Sequence, residues 1–226
     1  MAEIYFSDES VTLYHGDALA VLPEIAAAGC MVLDPPYHMA PSAFRGRDDG
    51  ASSSIATPVR LLTEAFRHAY RLLPDGGTAF IFCDWRRGPD TTYLATLAGL
   101  RISTCVAWTR NRSGTGGMFR GAWDPIYVAS KGTPRIRDKS AIPNVVNADH
   151  PIGREHPYEK PTKVWNHLLS RIPVTTVLDA FAGSCTSAEI AVRNGHKWVG
   201  IEADERHCES AARRWSQSGL DLGSIA

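Results

Sequence analysis

Short unbroken apolar runs alternate along this chain with longer stretches in which apolar residues recur every three or four positions. Val11-Thr12-Leu13-Tyr14 predicts a strand ending in His15-Gly16-Asp17. The alanine- and leucine-rich stretch Ala18 to Ala28, stopped by Gly29, predicts a helix. Cys30-Met31-Val32-Leu33 has no polar alternation, as in a strand covered on both faces, and completes a β-α-β unit with a right-handed crossover. Residues 38–57 hold no sustained period and predict a mobile loop over the substrate. Pro58 then opens a helix to Leu73 whose stripe is Leu61, Leu62, Ala65, Phe66, Ala69 and Leu72.

The alternation continues to the end. Thr78–Cys83 reads as a buried strand, Thr91–Leu100 as a helix, Ile102–Trp108 as a strand and Trp123–Ala129 as its antiparallel return. Lys131 to Glu155 shows no period. A helix from Pro161 or Thr162 through Ser170 follows, then a strand at Val174–Leu178, a helix at Ser184–Arg193, a strand at Lys197–Ile201 and a helix at Asp204–Trp215, with a loosely held tail from Ser216. Strands alternating with helices define the fold class as α/β: a doubly wound, mostly parallel sheet with one antiparallel hairpin. Its 226 residues suffice for a single domain.

Composition narrows this. No apolar run approaches the roughly 20 residues that span a membrane. The first residues carry acids where a secretory leader carries bases. Cys30, Cys83, Cys105, Cys185 and Cys208 are widely spaced, with no C-x-x-C pair, which argues for reduced thiols in the cytoplasm and against a metal site. A formal net charge of +0 hides an asymmetry: residues 1–34 have six acids and no Lys or Arg, whereas residues 86–139 have ten bases against three acids. A basic segment in a neutral protein points to a polyanion such as DNA, although a solvated face would look the same. Arg110, Arg112, Arg120, Lys131 and Arg135 are the candidate nucleic-acid contacts, within a segment at 109–155 that opens on a basic, glycine-rich hairpin.

Two constellations carry chemistry. Asp34-Pro35-Pro36-Tyr37 follows a predicted strand, at the carboxyl edge where open α/β sheets bind ligands. The prolines remove two donors and stiffen the loop. It then presents a carboxylate, free carbonyls and an aromatic face, which suit a planar base bearing an exocyclic amine. A capped, proline-stiffened turn is the other reading of these four residues. In the second, the strand Thr176-Val177-Leu178 runs into Asp179-Ala180-Phe181-Ala182-Gly183-Ser184, and Glu202 ends the next strand about twenty residues on. Such an acid accepts from the ribose of an adenosine. The turn lacks the glycines that let backbone approach a pyrophosphate, and no Gly-Lys-Ser/Thr follows. What remains is an adenosine site without phosphates, which fits S-adenosylmethionine.

Together these motifs resemble the amino-methyltransferases that modify exocyclic nitrogens of DNA bases. The acid-Pro-Pro-aromatic signature is matched by Asp34 to Tyr37, and the cofactor turn by Asp179, Phe181, Ala182, Gly183 and Ser184, with Cys185 replacing a glycine. His156-Pro157-Tyr158-Glu159-Lys160-Pro161 resembles a segment that packs over the cofactor, and Gly16-Asp17 an element beside its adenine. The catalytic motif precedes the cofactor motif, which resembles the circularly permuted β arrangement of the family. The resemblance implies catalytic roles for Asp34, Pro35, Pro36 and Tyr37. It implies cofactor contacts from Asp17, Asp34, His156, Lys160, Pro161, Asp179, Phe181, Ala182, Gly183, Ser184, Thr186 and Glu202. The expected reaction is methyl transfer to N6 of a flipped adenine in DNA. The alternatives are N4 of cytosine, an inactive DNA-binding relative and, more distantly, a nicotinamide enzyme. Oligomeric state stays open between monomer and homodimer. His15, His68, His167, His196 and His207 read as caps or surface residues, and Trp198 as core.

Overall fold

The computed structural model describes residues 2–36, 56–111, 118–138, 140–152 and 159–217, with backbone only at 56–58. Among the described residues nine strands form one sheet: β1 (Glu3–Ser7), β2 (Val11–His15), β3 (Cys30–Leu33), β4 (Thr78–Phe82), β5 (Arg101–Thr109), β6 (Trp123–Ser130), β7 (Val145–Asn147), β8 (Thr176–Asp179) and β9 (Lys197–Glu202). Their spatial order is β1-β2-β9-β8-β3-β4-β6-β5-β7. Strands β2, β9, β8, β3 and β4 are mutually parallel, and β6 runs antiparallel to both β4 and β5. The mostly parallel sheet with an antiparallel hairpin is therefore observed.

Helices cover both faces, as the period-two alternation of the buried strands requires. Met31 and Leu33 point to one face, with Ala79, Ile81, Leu178 and Ile201, against α1 (Ala18–Val21), α2 (Ala56–Leu72) and α3 (Gly88–Leu97). Cys30 and Val32 point to the other, with Phe80, Phe82, Val177 and Trp198, against α4 (Thr162–Leu169), α5 (Thr186–Arg193) and α6 (Glu205–Gln217). On α2 the buried residues are Leu62, Ala65, Phe66, Ala69 and Leu72, an i, i+3, i+4, i+7 stripe. No helix among the described residues is long and apolar enough to cross a membrane.

Several boundaries differ from expectation. The helix predicted over 18–28 stops at Val21 and tightens into a 3₁₀ turn at Leu22–Glu24. Pro23 has no N–H to give the preceding turn, and its ring clashes with the carbonyl four residues back. The expected β-α-β neighbours β2 and β3 are parallel but not adjacent, because β9 and β8 enter between them. Helix α3 starts three residues early, with Pro89 in its first turn. Strands β1 and β7 are absent from the sequence reading. Helix α2 takes residues 56 and 57 from the predicted loop, whose remainder, 38–55, lies outside the described residues. Helix α6 includes Ser216 and Gln217 of the expected loose tail. His196 is buried rather than capping or exposed: the Thr175 N–H donates to its Nδ1, and its Nε2 bonds the Leu169 carbonyl, with burial holding its pKa below the usual value.

Candidate active site

The parallel strands β2, β9, β8 and β3 end on one edge, and the loops after them enclose a cavity of about 440 Å³. Each wall comes from a different strand end. Gly16, Asp17 and Ala18 follow β2; Asp34, Pro35 and Pro36 follow β3; Ala180 to Ser184 follow β8; Glu202 and Ala203 close β9. Lys160, Thr186 and Trp165 complete it from the α4–α5 side, and Leu61 from α2. Asp34, Pro35 and Pro36 of the first expected constellation thus share one crevice with the second.

The turn after β8 is stitched to its neighbours by backbone. Ala180 N–H donates to Val32 O (3.1 Å) and Ala182 N–H to Ile201 O (2.9 Å). Gly183 has φ +53° and Cys185 has φ +58°, the left-handed region that favours glycine. Cys185 tolerates it while its side chain is fully buried in the core. Glu202 accepts from Gly183 N–H through one oxygen and from Asp204 N–H through the other, each at 2.7 Å. Asp17 caps α1, its Oδ1 accepting from Leu19 and Ala20 N–H. Ser184 and Thr186 share a hydroxyl contact at 2.9 Å, and Thr186 also donates to Glu159.

Asp179 lies beneath the turn at 2% exposure. Burial pushes its pKa up to about 7, helped by the Asp34 and Glu202 charges and opposed by donation from the Ser187 hydroxyl and the Phe181 N–H. Ser187 Oγ donates at 2.6 Å and in turn accepts from Trp198 Nε1 at 3.0 Å. Gly200 makes room for this relay, since a Cβ there would meet the Trp198 indole at 1.9 Å. Trp198 is core, as its sequence context predicts, and it also props the turn.

Asp34 forms an ion pair with Lys160, whose ammonium lies 5.3 Å over the Phe82 ring. The cavity wall carries the acids Asp17, Asp34, Glu159, Asp179 and Glu202, with Lys160 as the one base among the described residues. That balance suits a cationic ligand and disfavours a pyrophosphate. No cluster among the described residues has metal-holding geometry.

Other expected residues separate from this group. Pro161 starts α4 behind Lys160 and does not line the crevice. Tyr37, His156 and Arg112 lie outside the described residues. The β5–β6 hairpin runs three residues past the level of Phe82, roughly 10 Å, and so overhangs the carboxyl edge of the parallel strands. Arg120 is exposed there, whereas Arg110 is bound to Asp124 and lies 5.2 Å from the Trp108 ring. Lys131 and Arg135 sit at the opposite edge: their backbones bond Gly76, just before β4 begins. The length of β4, roughly 15 Å, separates them from Asp34. Glu159 and Trp165 are wall residues that sequence reading passed over. Glu159 stands inside the His156–Pro161 motif, which was its available signal, and Trp165 was hidden within an ordinary amphipathic helix.

A doubly wound sheet with an acidic crevice at its carboxyl edge defines the Rossmann-like α/β class, whose ligands bind outside the carboxyl ends of the strands. The chain matches the N6/N4-type family model described as DNA methylase over residues 29–165 and 137–213, and it belongs to that family. A relative, the DNA adenine methyltransferase YhdJ of Escherichia coli (strain K12), is 25% identical over 97% of this chain and 85% of its own length. The M1.HpyAVI–SAM complex superposes with a TM-score of 0.70 at 18% identity, covering 90% of this chain and 98% of that one. The cytosine-N4-specific PvuII DNA methyltransferase superposes at 0.75 with 16% identity, covering 99% and 91%. The family is one of S-adenosylmethionine-dependent methyltransferases acting on DNA.

Proposed function

We propose that this chain transfers a methyl group from S-adenosylmethionine to the exocyclic N6 of adenine in DNA. One observation carries the reading: the Asp34-Pro35-Pro36 loop and the Gly183–Glu202 turn face a single acidic cavity. The residues present fit the donor. Its net positive charge meets a predominantly acidic wall, and Glu202 keeps lone pairs for ribose hydroxyls beyond the two amides it already accepts. Phe181 to Ser184, Thr186 and Asp17 complete the donor pocket.

When bound, S-adenosylmethionine supplies an electrophilic methyl whose departing electron pair stays on sulfur. The Asp34 carboxylate and the Pro35 carbonyl accept the hydrogens of the target amine and favour a more pyramidal nitrogen. These contacts strengthen as positive charge develops. The amine would gain its N–C bond as the donor's S–C bond breaks, with Asp34 and the Pro35 carbonyl steadying the nitrogen until it releases a proton to solvent. Alignment of the two reacting atoms supplies much of the acceleration. The base leaves its stack to arrive, and Tyr37 is the stacking residue in this scheme. Adenine is supported by the aspartate that heads the motif, the commoner acid in the adenine enzymes the chain resembles, and by the relationship to YhdJ. The test is incubation with labelled donor and unmethylated DNA, digestion and mass spectrometry of nucleosides. N6-methyldeoxyadenosine is expected; N4-methyldeoxycytidine would move the assignment to cytosine, and no methylated nucleoside would sink it.

A further inference from the structure

We infer that Lys160 is the counter-ion that positions the Asp34 carboxylate, and is not a ligand of the methyl donor; the consequence for catalysis rests on the function proposed above. The two residues are 126 positions apart, yet Lys160 Nζ donates to Asp34 Oδ2 at the crevice wall. Their side chains are 8% and 18% exposed, so each charge is largely withdrawn from water. A buried ammonium needs an anion in contact, and removing one partner leaves the other uncompensated. The Phe82 ring beneath Nζ, 5.3 Å away, holds the ammonium at the end of β4, alongside the end of β3 that presents Asp34.

The backbone around Lys160 is built to keep it there. Pro161 follows, with φ −61° and ψ 141°, and a residue before proline is confined to extended conformations. Pro161 also begins α4, whose Val164, Leu168 and Leu169 are buried in the core. Glu159 on the other side accepts from Thr186. The ammonium therefore stands on a short arm anchored at both ends. One oxygen of Asp34 is committed to it, which fixes the plane of the carboxylate and the direction in which the second oxygen points. A positive charge neutralised by Asp34 also does not repel a cationic donor.

The test uses the full chain as wild type, Lys160→Met, Lys160→Arg, Asp34→Asn and the Lys160→Met/Asp34→Asn double variant. Donor affinity is measured by calorimetry, thermal stability by melting, and kcat and KM by methyl transfer to unmethylated DNA. Lys160→Met is expected to leave donor Kd within about threefold while kcat falls on the order of 100-fold. Lys160→Arg is expected to recover part of kcat. In melting, the double variant is expected to lose less than the sum of the single losses. Donor affinity falling as steeply as kcat, or additive melting losses, would overturn the inference. A wild-type chain that binds donor but methylates neither base would sink the proposed reaction alone, and the melting cycle with donor affinity would still decide the role of Lys160.

Discussion

The N–H of Gly183 donates to Glu202 Oε2 at 2.7 Å, so a carboxylate at the end of β9 holds the turn that follows β8. The other oxygen holds the N–H of Asp204 at the same distance. Glu202 is thus a fastener between two loops before any ligand arrives. Glu202→Ala is expected to lower melting temperature and weaken donor binding tenfold or more, a loss of about 1.4 kcal/mol or greater. Calorimetry checks this, and unchanged affinity would remove Glu202 from the donor site.

Asp34→Asn is expected to abolish methyl transfer while donor Kd stays within about threefold. Asp34→Ala is the poorer probe, because it also removes the carboxylate paired with the largely buried Lys160 ammonium. That variant is expected to lose on the order of 3–5 kcal/mol of stability. Paired turnover and urea-unfolding measurements separate the two effects. An active Asp34→Asn enzyme would dispose of the catalytic assignment.

Asp179 links the site to pH. Its carboxyl is pushed from the ordinary 3.8 up to about 7 by burial. Across that window the folded state keeps a proton that the unfolded chain has released, so this group's contribution makes stability fall as pH rises. The slope reaches about 1.4 kcal/mol per pH unit where the two states differ by one proton. Wild type is therefore expected to lose stability relative to Asp179→Asn between pH 5 and pH 7, measured by urea unfolding. A constant difference across that range would refute the burial argument.

DNA contacts should follow the sheet edges. Arg120→Ala, on the overhanging hairpin, is expected to weaken DNA binding and reduce the salt slope by about one. Lys131→Ala with Arg135→Ala, at the far edge, is expected to change neither. Titrations of DNA affinity against salt distinguish the two sets. Equal losses from both would mean that DNA reaches around the molecule.

Much of this was legible in the chain because burial was strong and local. Strand β3 is entirely buried, and so is all of β8 except its first residue, so their apolar runs announced them. The acids that follow fell on the expected edge. Strand β1 is largely exposed, and β7 has three residues with one buried, so neither burial nor length marked them. The helix expected over 18–28 ends at Val21 because Pro23 overrides the helix propensity of the alanines and leucines around it. The Asp34–Lys160 pair has no sequence spacing to betray it. Lys131 and Arg135 shared a basic stretch with Arg120, but the reversal of β6 carries them to the other end of the sheet.

The insertion of β8 and β9 between β2 and β3 bears on how the molecule is made. The central staves of the sheet are among the last strands to leave the ribosome. Until Lys197–Glu202 has emerged, the amino-terminal hairpin and β3 have no sheet hydrogen bonds to join them. Assembly must wait for contacts nearly the whole chain apart, so folding is expected to be slow and largely post-translational.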